Sequence, residues 1–362
     1  MSSVKRRRKH RRRIRPLRIL FLLAIAALAV FGVMYMRYKS NLKPVSDVPE
    51  TVLFEVKAGS SVKDVANDLE AAGLVRDADS AYLFARRNDL GNIKSGEYEL
   101  DKSWDPEKIF TWISDASNAI VYDTTVTIVE GDWAKDMANK IANATSVTAD
   151  ELMNLWNDET YLRSLMGRYP FITEDLFNRD IRTKLEGYLA PNTYRFYQET
   201  TAEEITEKIL DQSLKVYNEL EADMKKSSLS INEIYTLASI VQFESGDVNE
   251  MANIAGVFWN RLDIDMPLQS SATVCYAIDF DKGDHWMDCE VNGNYESPYN
   301  TYKYGGLPPG PILNPGYDAI YATLHPAKHK YYYFMADVYG TGQIYYAETL
   351  AEHEANVSKY LR

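Results

Sequence analysis

Three rhythms of apolar and polar positions divide this chain. From Ile19 to Met36 (ILFLLAIAALAVFGVMYM) eighteen residues pass without a charge. As a helix rising about 1.5 Å per residue, they nearly cross a hydrocarbon layer of about 30 Å. Leu17 and Arg18 lengthen the run at one end, and Tyr35 and Tyr38 stand where an interfacial aromatic belt falls. The run exceeds the roughly 7–15 apolar residues of a cleavable leader and ends in no small-x-small site, so a membrane anchor is the better reading. A polar, proline-containing stalk follows to Glu50.

The second rhythm is strand, turn and helix. Val52 to Val56 alternate, Gly59 turns the chain, and Val62, Val65, Leu69 and Leu74 recur at helical spacing. The same arrangement returns 72 residues later: Gly59, Lys63, Asp64, Ala66, Asn67 and Leu69 match Gly131, Lys135, Asp136, Ala138, Asn139 and Ile141. Two copies indicate small mixed modules, not a solenoid. The expected plan is α+β: basic tail 1–18, transmembrane helix 19–36, stalk 37–50, a small module 51–120 and a larger domain 121–362.

The third rhythm lies in SLSINEIYTLASIVQFESGDV, Ser228 to Val248. Ser230 and Glu233 form a capping-box pattern that starts a helix near Ile231, and Gly246 is a fitting stop. Ile234, Leu237, Ala238 and Val241 make an apolar stripe, and Glu244 falls on the same face. Burial raises a carboxyl pKa, which suits a general acid working near neutral pH. The plainer alternatives are a helix-end glutamate turned to solvent or paired with Arg261.

Charge separates the two ends. Ten basic residues and no acid fall in the first eighteen positions, and removing them from the total of −12 leaves −22 over the remaining 344 residues. A body of that sign repels nucleic acid. The basic flank keeps the N-terminus cytoplasmic and places the rest outside, with anionic lipid as the tail's natural contact.

His325 and His329 are four apart, but Pro326 holds His325 away from helix, so no metal site is expected, and no cofactor fingerprint follows a strand. Ser245 sits in no nucleophile elbow. Cys275 and Cys289 remain open between one disulfide and two free thiols. Of 26 tyrosines, 19 lie between Tyr188 and Tyr360, and the run Tyr331 to Phe334 reads as a core strand ahead of a sugar platform.

Two resemblances add to this. The segment VKAGSSVKDVA, with SGEYEL (Ser95 to Leu100) as a returning strand, resembles the opening of LysM-like wall-binding modules. LASIVQFES resembles the active-site helix of the endolytic murein transglycosylase (YceG-like) family, whose usual form is close to LASIVEKE. Four further blocks resemble the same family in order: LEGYLAPNTYRF (Leu185 to Phe196), Ile254 to Ile278, Ser297 to Gly316, and Ala322 to Asp337. The chain departs from it at Gln242, where many relatives carry a glutamate, and in LQSSATV, where Ser271 and Ala272 replace an aspartate and a proline. QFES also resembles the Q-E-S run of lysozyme-like lytic transglycosylases.

The resemblance implies a membrane-anchored enzyme, outside the cell, that cuts peptidoglycan glycan strands internally and limits their length near wall-synthesis proteins. It carries the catalytic role to Glu244 as a single carboxyl group. Gln269, Ser270, Thr273, Asn300, Thr301 and Tyr302 fall inside the shared blocks as candidate sugar contacts or loop scaffolding. Glu186 either positions the site or pairs with a cation such as Arg195. A non-catalytic wall-binding scaffold is the alternative from another class, and a two-carboxylate muramidase is disfavoured by the missing second acid.

Overall fold

The computed structural model describes residues 16–360 except 121, 123, 198, 281–288, 290–291 and 338–341, with side chains of the first helix from Leu23 onward. The basic tail up to Arg15 lies outside the described residues. The chain forms two compact units, Met1–Val121 and Tyr122–Arg362.

The first unit begins with α1 (Pro16–Asn41), in which Leu23–Asn41 is long and apolar enough to cross a membrane. Leu28, Phe31 and Met34 are exposed on it, as lipid-facing residues would be. The helix continues past Met36 through polar residues to Asn41. The segment expected as a stalk is therefore partly helical, and the rest is pinned: Asn41 Nδ2 donates to Ser80 Oγ at 3.2 Å, and Arg76 Nε donates to the Pro44 carbonyl at 2.8 Å. Beyond it come β1 (Thr51–Val56), α2 (Val62–Ala71), α3 (Ala78–Arg87), β2 (Gly96–Asp101) and α4 (Pro106–Ile113). β1 and β2 pair antiparallel with Phe54 opposite Tyr98, and their inward residues pack with Leu69, Ile109 and Phe110 into one core.

The second unit contains β3 (Thr124–Ile128), α5 (Ala134–Ala142), α6 (Ala149–Leu155), α7 (Glu159–Leu165), β4 (Asn192–Phe196), α8 (Ala202–Met224), α9 (Ile231–Glu244), α10 (Val248–Leu262), α11 (Ser271–Ala277), α12 (Tyr317–Leu324), β5 (Tyr333–Ala336), β6 (Ile344–Ala347) and α13 (Leu350–Tyr360). The 72-residue repeat is real in space. β1–Gly59–α2 and β3–Gly131–α5 use a glycine at φ +81 and +83, a region open mainly to glycine. In both, an aspartate (Asp64, Asp136) accepts from the main-chain N–H of the residue before the helix. They differ in closure, because β3 pairs with β4 only after α6 and α7 have intervened.

α9 starts at Ile231, where its capping box predicts. It is not amphipathic, however: Asn232 and Ile234 to Val241 are all buried. One face (Ile234, Tyr235, Ala238) joins the core with α5, α6 and α8, while the other (Leu237, Ile240, Val241) joins a second core with α10, α11 and α12. Glu244, expected on a buried face, instead emerges half-buried at the helix end. Tyr331 to Phe334 enter β5 only at Tyr333 and are half-buried, forming an aromatic layer around Tyr346 and not a buried core strand.

Candidate active site

Three elements converge on the end of α9. The first is α9 itself, which carries Glu244 as its last residue. The second is the turn after α10, where Gln269 is held at φ +47, a conformation rare for a residue with a Cβ. This kink leads into Ser270, which precedes α11. The Ser270 hydroxyl makes no cap bond to α11. It donates instead to Glu244 Oε1 at 2.6 Å.

The third element is the loop around Thr301. Its hydroxyl accepts from Ser270 N at 3.1 Å, its carbonyl accepts from Gln269 N at 3.2 Å, and its Oγ1 lies 3.0 Å from Thr273 Oγ1. Thr273 Oγ1 in turn donates to the Ser270 carbonyl at 2.7 Å. Ser270, Thr273 and Thr301 are buried, so this lattice fixes the serine that holds the glutamate. Asn300 is buried too: its amide donates to the Gly293 and Tyr295 carbonyls and accepts from Tyr302 N at 3.0 Å. Gln269 and Tyr302 are the exposed members of the six. Cys275, on α11 just beyond Thr273, is joined to Cys289 by a disulfide, which closes the question left open by sequence.

Glu186 does not join this cluster. It is buried beneath the second glycine turn, where its Oε1 accepts from Ala134 N at 2.8 Å and from Asn314 Nδ2 at 3.0 Å. Arg195 is not its partner. Asn314, which sequence reasoning missed, is the hub here: its Oδ1 accepts from Gly187 N (2.8 Å) and Leu189 N (3.0 Å), and its amide also reaches the Asp132 carbonyl (3.0 Å). Its main chain bonds Gly131 and Asp132 as well. Gly187 sits at φ +86, and a Cβ there would lie 2.3 Å from Pro311, so the close approach needs glycine. Gln242 likewise has a structural task, accepting from Gly316 N at 3.0 Å. His329 is occupied by the Asn253 carbonyl and Tyr331 N, and among the described residues no cluster has the makings of a metal site.

Burial pushes the Glu186 carboxyl up from 4.5 to about 8, against the opposing pull of the Ala134 N–H. The folded state then keeps a proton that the unfolded chain gives up, so stability falls as pH rises through the window from 4.5 to about 8 and levels off above it. Glu186→Gln keeps an oxygen acceptor without the titration. Its denaturation midpoint is expected to fall less between about pH 5 and 8, by an amount worth a few kcal/mol. Parallel stability–pH curves for the two proteins would remove this account.

The model of the YceG-like family matches residues 54–359. The endolytic murein transglycosylase of Bacillus subtilis (strain 168) is 33% identical over 338 residues, 91% of each chain. The protein of the same name from Streptococcus pneumoniae (strain R6) is 32% identical over 348 residues, which is 91% of this chain and 62% of that longer one. A crystal structure of a YceG-like protein from Listeria monocytogenes superposes with a TM-score of 0.60 at 31% identity, covering 85% of this chain and 99% of that one.

Proposed function

The chain belongs to the YceG-like family and is a lytic transglycosylase, and from that premise we propose that Glu244 alone serves as its acid and then its base. It acts on peptidoglycan, as the names of its relatives say of them. The observation that carries the assignment to Glu244 is the Ser270–Glu244 hydrogen bond at the end of a doubly buried helix. A carboxyl group held in a fixed plane on rigid elements is what proton transfer requires.

In the proposed mechanism, protonated Glu244 gives its proton to the oxygen linking N-acetylmuramic acid to N-acetylglucosamine, and the C1–O bond breaks. The Glu244 carboxylate then takes the proton of the muramic C6 hydroxyl, whose oxygen bonds to C1. A 1,6-anhydro ring closes, no water is consumed, and Glu244 is protonated again. Ordinary hydrolysis needs a second carboxylate about 5–9.5 Å from the first. Here the nucleophile belongs to the substrate, so the chain needs no second carboxylate. We assign Gln269 and Tyr302, exposed beside the acid, to sugar contact, and Ser270, Thr273, Asn300 and Thr301 to holding the acid and its loops.

Ser270→Ala tests the arrangement. Loss of a hydrogen bond to a charged group is worth about 1.5–3 kcal/mol, so cleavage is expected to slow roughly 10- to 100-fold. Because that hydroxyl caps no helix, the melting temperature should barely move. Wild-type cleavage rates in the variant would detach Ser270 from the mechanism.

The remaining assignments follow the same reading. The catalytic unit lies outside the membrane, since the basic flank precedes the span. The small module is LysM-like: its β1–α2–α3–β2 order frames an open cleft of about 740 Å³ lined by Ser61, Lys63, Tyr82, Arg86 and Asn92, suited to holding glycan. Wall-synthesis proteins are its natural neighbours, and the enzyme limits glycan length there. Incubating the full chain with purified peptidoglycan separates this from a scaffold: release of soluble fragments supports the enzyme, whereas retention on the wall with no release supports the scaffold.

A further inference from the structure

The turn that delivers Ser270 is held by a buried cation that the mechanism above does not use. Arg261, in the last turn of α10, is 7% exposed. Removing a guanidinium from water is costly unless its donors are met. Its Nε donates to the Tyr332 carbonyl at 2.6 Å, and its Nη1 donates to the Leu268 carbonyl at 2.6 Å and, more weakly, to that of Pro267 at 3.4 Å. The Tyr333 ring lies 5.2 Å from the guanidinium carbon. One side chain thus ties the strand entering β5 to the turn that delivers Gln269 and Ser270. Its charge also reaches Glu244 on α9, Tyr302 in the Thr301 loop and His353 on α13.

We propose that Arg261 is a positioning residue for the reaction at Glu244: its planar fork sets the 267–270 turn, and hence the Ser270 hydroxyl, while its charge stabilises the Glu244 carboxylate left after proton donation. The inference rests on Glu244 being the acid. The fork matters because a lysine is a point charge and cannot hold two carbonyls in a fixed geometry. The charge matters because it lies in a buried, weakly screened setting. Among the described residues Tyr302, Tyr333 and His353 are the other titratable groups that interact with Arg261, and burial and the Arg261 charge both lower the His353 pKa.

The test is the pH profile of cleavage by full-length protein carrying Arg261→Met or Arg261→Lys, with Glu244→Gln alongside. Without the positive charge Glu244 is a weaker acid and loses its proton at higher pH. The alkaline limb of Arg261→Met is therefore expected to move up by about one pH unit, with kcat reduced roughly 10- to 100-fold and KM little changed. Arg261→Lys should keep the wild-type limb but lose about tenfold in kcat. If Arg261→Met does not fold, Arg261→Lys is combined with Ser270→Ala. Because both act through the same hydroxyl, the double variant should be no slower than about the slower single one. An unmoved limb in Arg261→Met, full activity in Arg261→Lys, or additive losses in the double variant would overturn the proposal. Cleavage surviving in Glu244→Gln would instead remove the reading beneath it.

Discussion

Glu244→Gln is expected to leave a folded protein that still binds peptidoglycan and cuts it at least about 10³-fold more slowly. General acid–base catalysis typically contributes 10²- to 10⁴-fold, and here one group is asked to do both halves of the work. Glutamine preserves size and offers an oxygen to the Ser270 hydroxyl, so the 2.6 Å contact has a substitute and α9 keeps its ending. Glu244 is half-buried at a helix end and outside both cores, so the melting temperature should change little. Release of soluble glycan by matched amounts of the two proteins measures the effect. A variant within tenfold of wild type would move the chemistry to another residue.

The second large effect is on folding. Asn314→Leu is expected to destabilise the second unit by about 4–8 kcal/mol, from the loss of its side-chain bonds to five partners, the weakest of them the Met137 sulfur. The side chain is fully buried, and leucine, of similar branched shape, leaves Gly187 N, Leu189 N, the Asp132 carbonyl and Glu186 each short of a partner. Buried donors without partners cost about 1–3 kcal/mol each, against a total stability of about 5–15 kcal/mol for a domain. Urea denaturation, or the soluble yield at 37 °C, reads it. A midpoint shift worth less than about 1 kcal/mol would mean that this hub does not hold the LEG block to the glycine turn.

What the sequence makes legible is mostly local. Ser230 and Glu233 place the start of α9 because a capping box is a four-residue event, and the offset of 72 reports two βα units because each needs its own left-handed glycine. The apolar spacing in α9 misleads for a physical reason. A helix packed on two cores loses the polar face that periodicity relies on, and its small polar residues Thr236 and Ser239 are buried with bonds to neighbouring carbonyls. The long-range pairs leave little local trace. Thr273 meets Thr301 across 28 residues and Glu186 meets Asn314 across 128, while Arg195, an ion-pair candidate by charge alone, is not the residue that meets Glu186. The one signal for Asn314 is its place in NPG, before Pro315 and three residues after Pro311, a pattern that marks a rigid turn without naming what the turn holds. Arg261 is visible to sequence only as a charge near Glu244. That it grips Tyr332, Pro267 and Leu268 follows from packing α10 against the strand and the turn.

One carboxyl group suffices in this mechanism because the substrate supplies the nucleophile. The mass of the products tests it most directly. Peptidoglycan digested by the full-length protein should yield glycan fragments ending in 1,6-anhydromuramic acid, each lighter by one water than the corresponding product of a hydrolase. Fragments carrying only ordinary reducing ends would show that water attacks C1, and the single-carboxylate mechanism at Glu244 would be wrong.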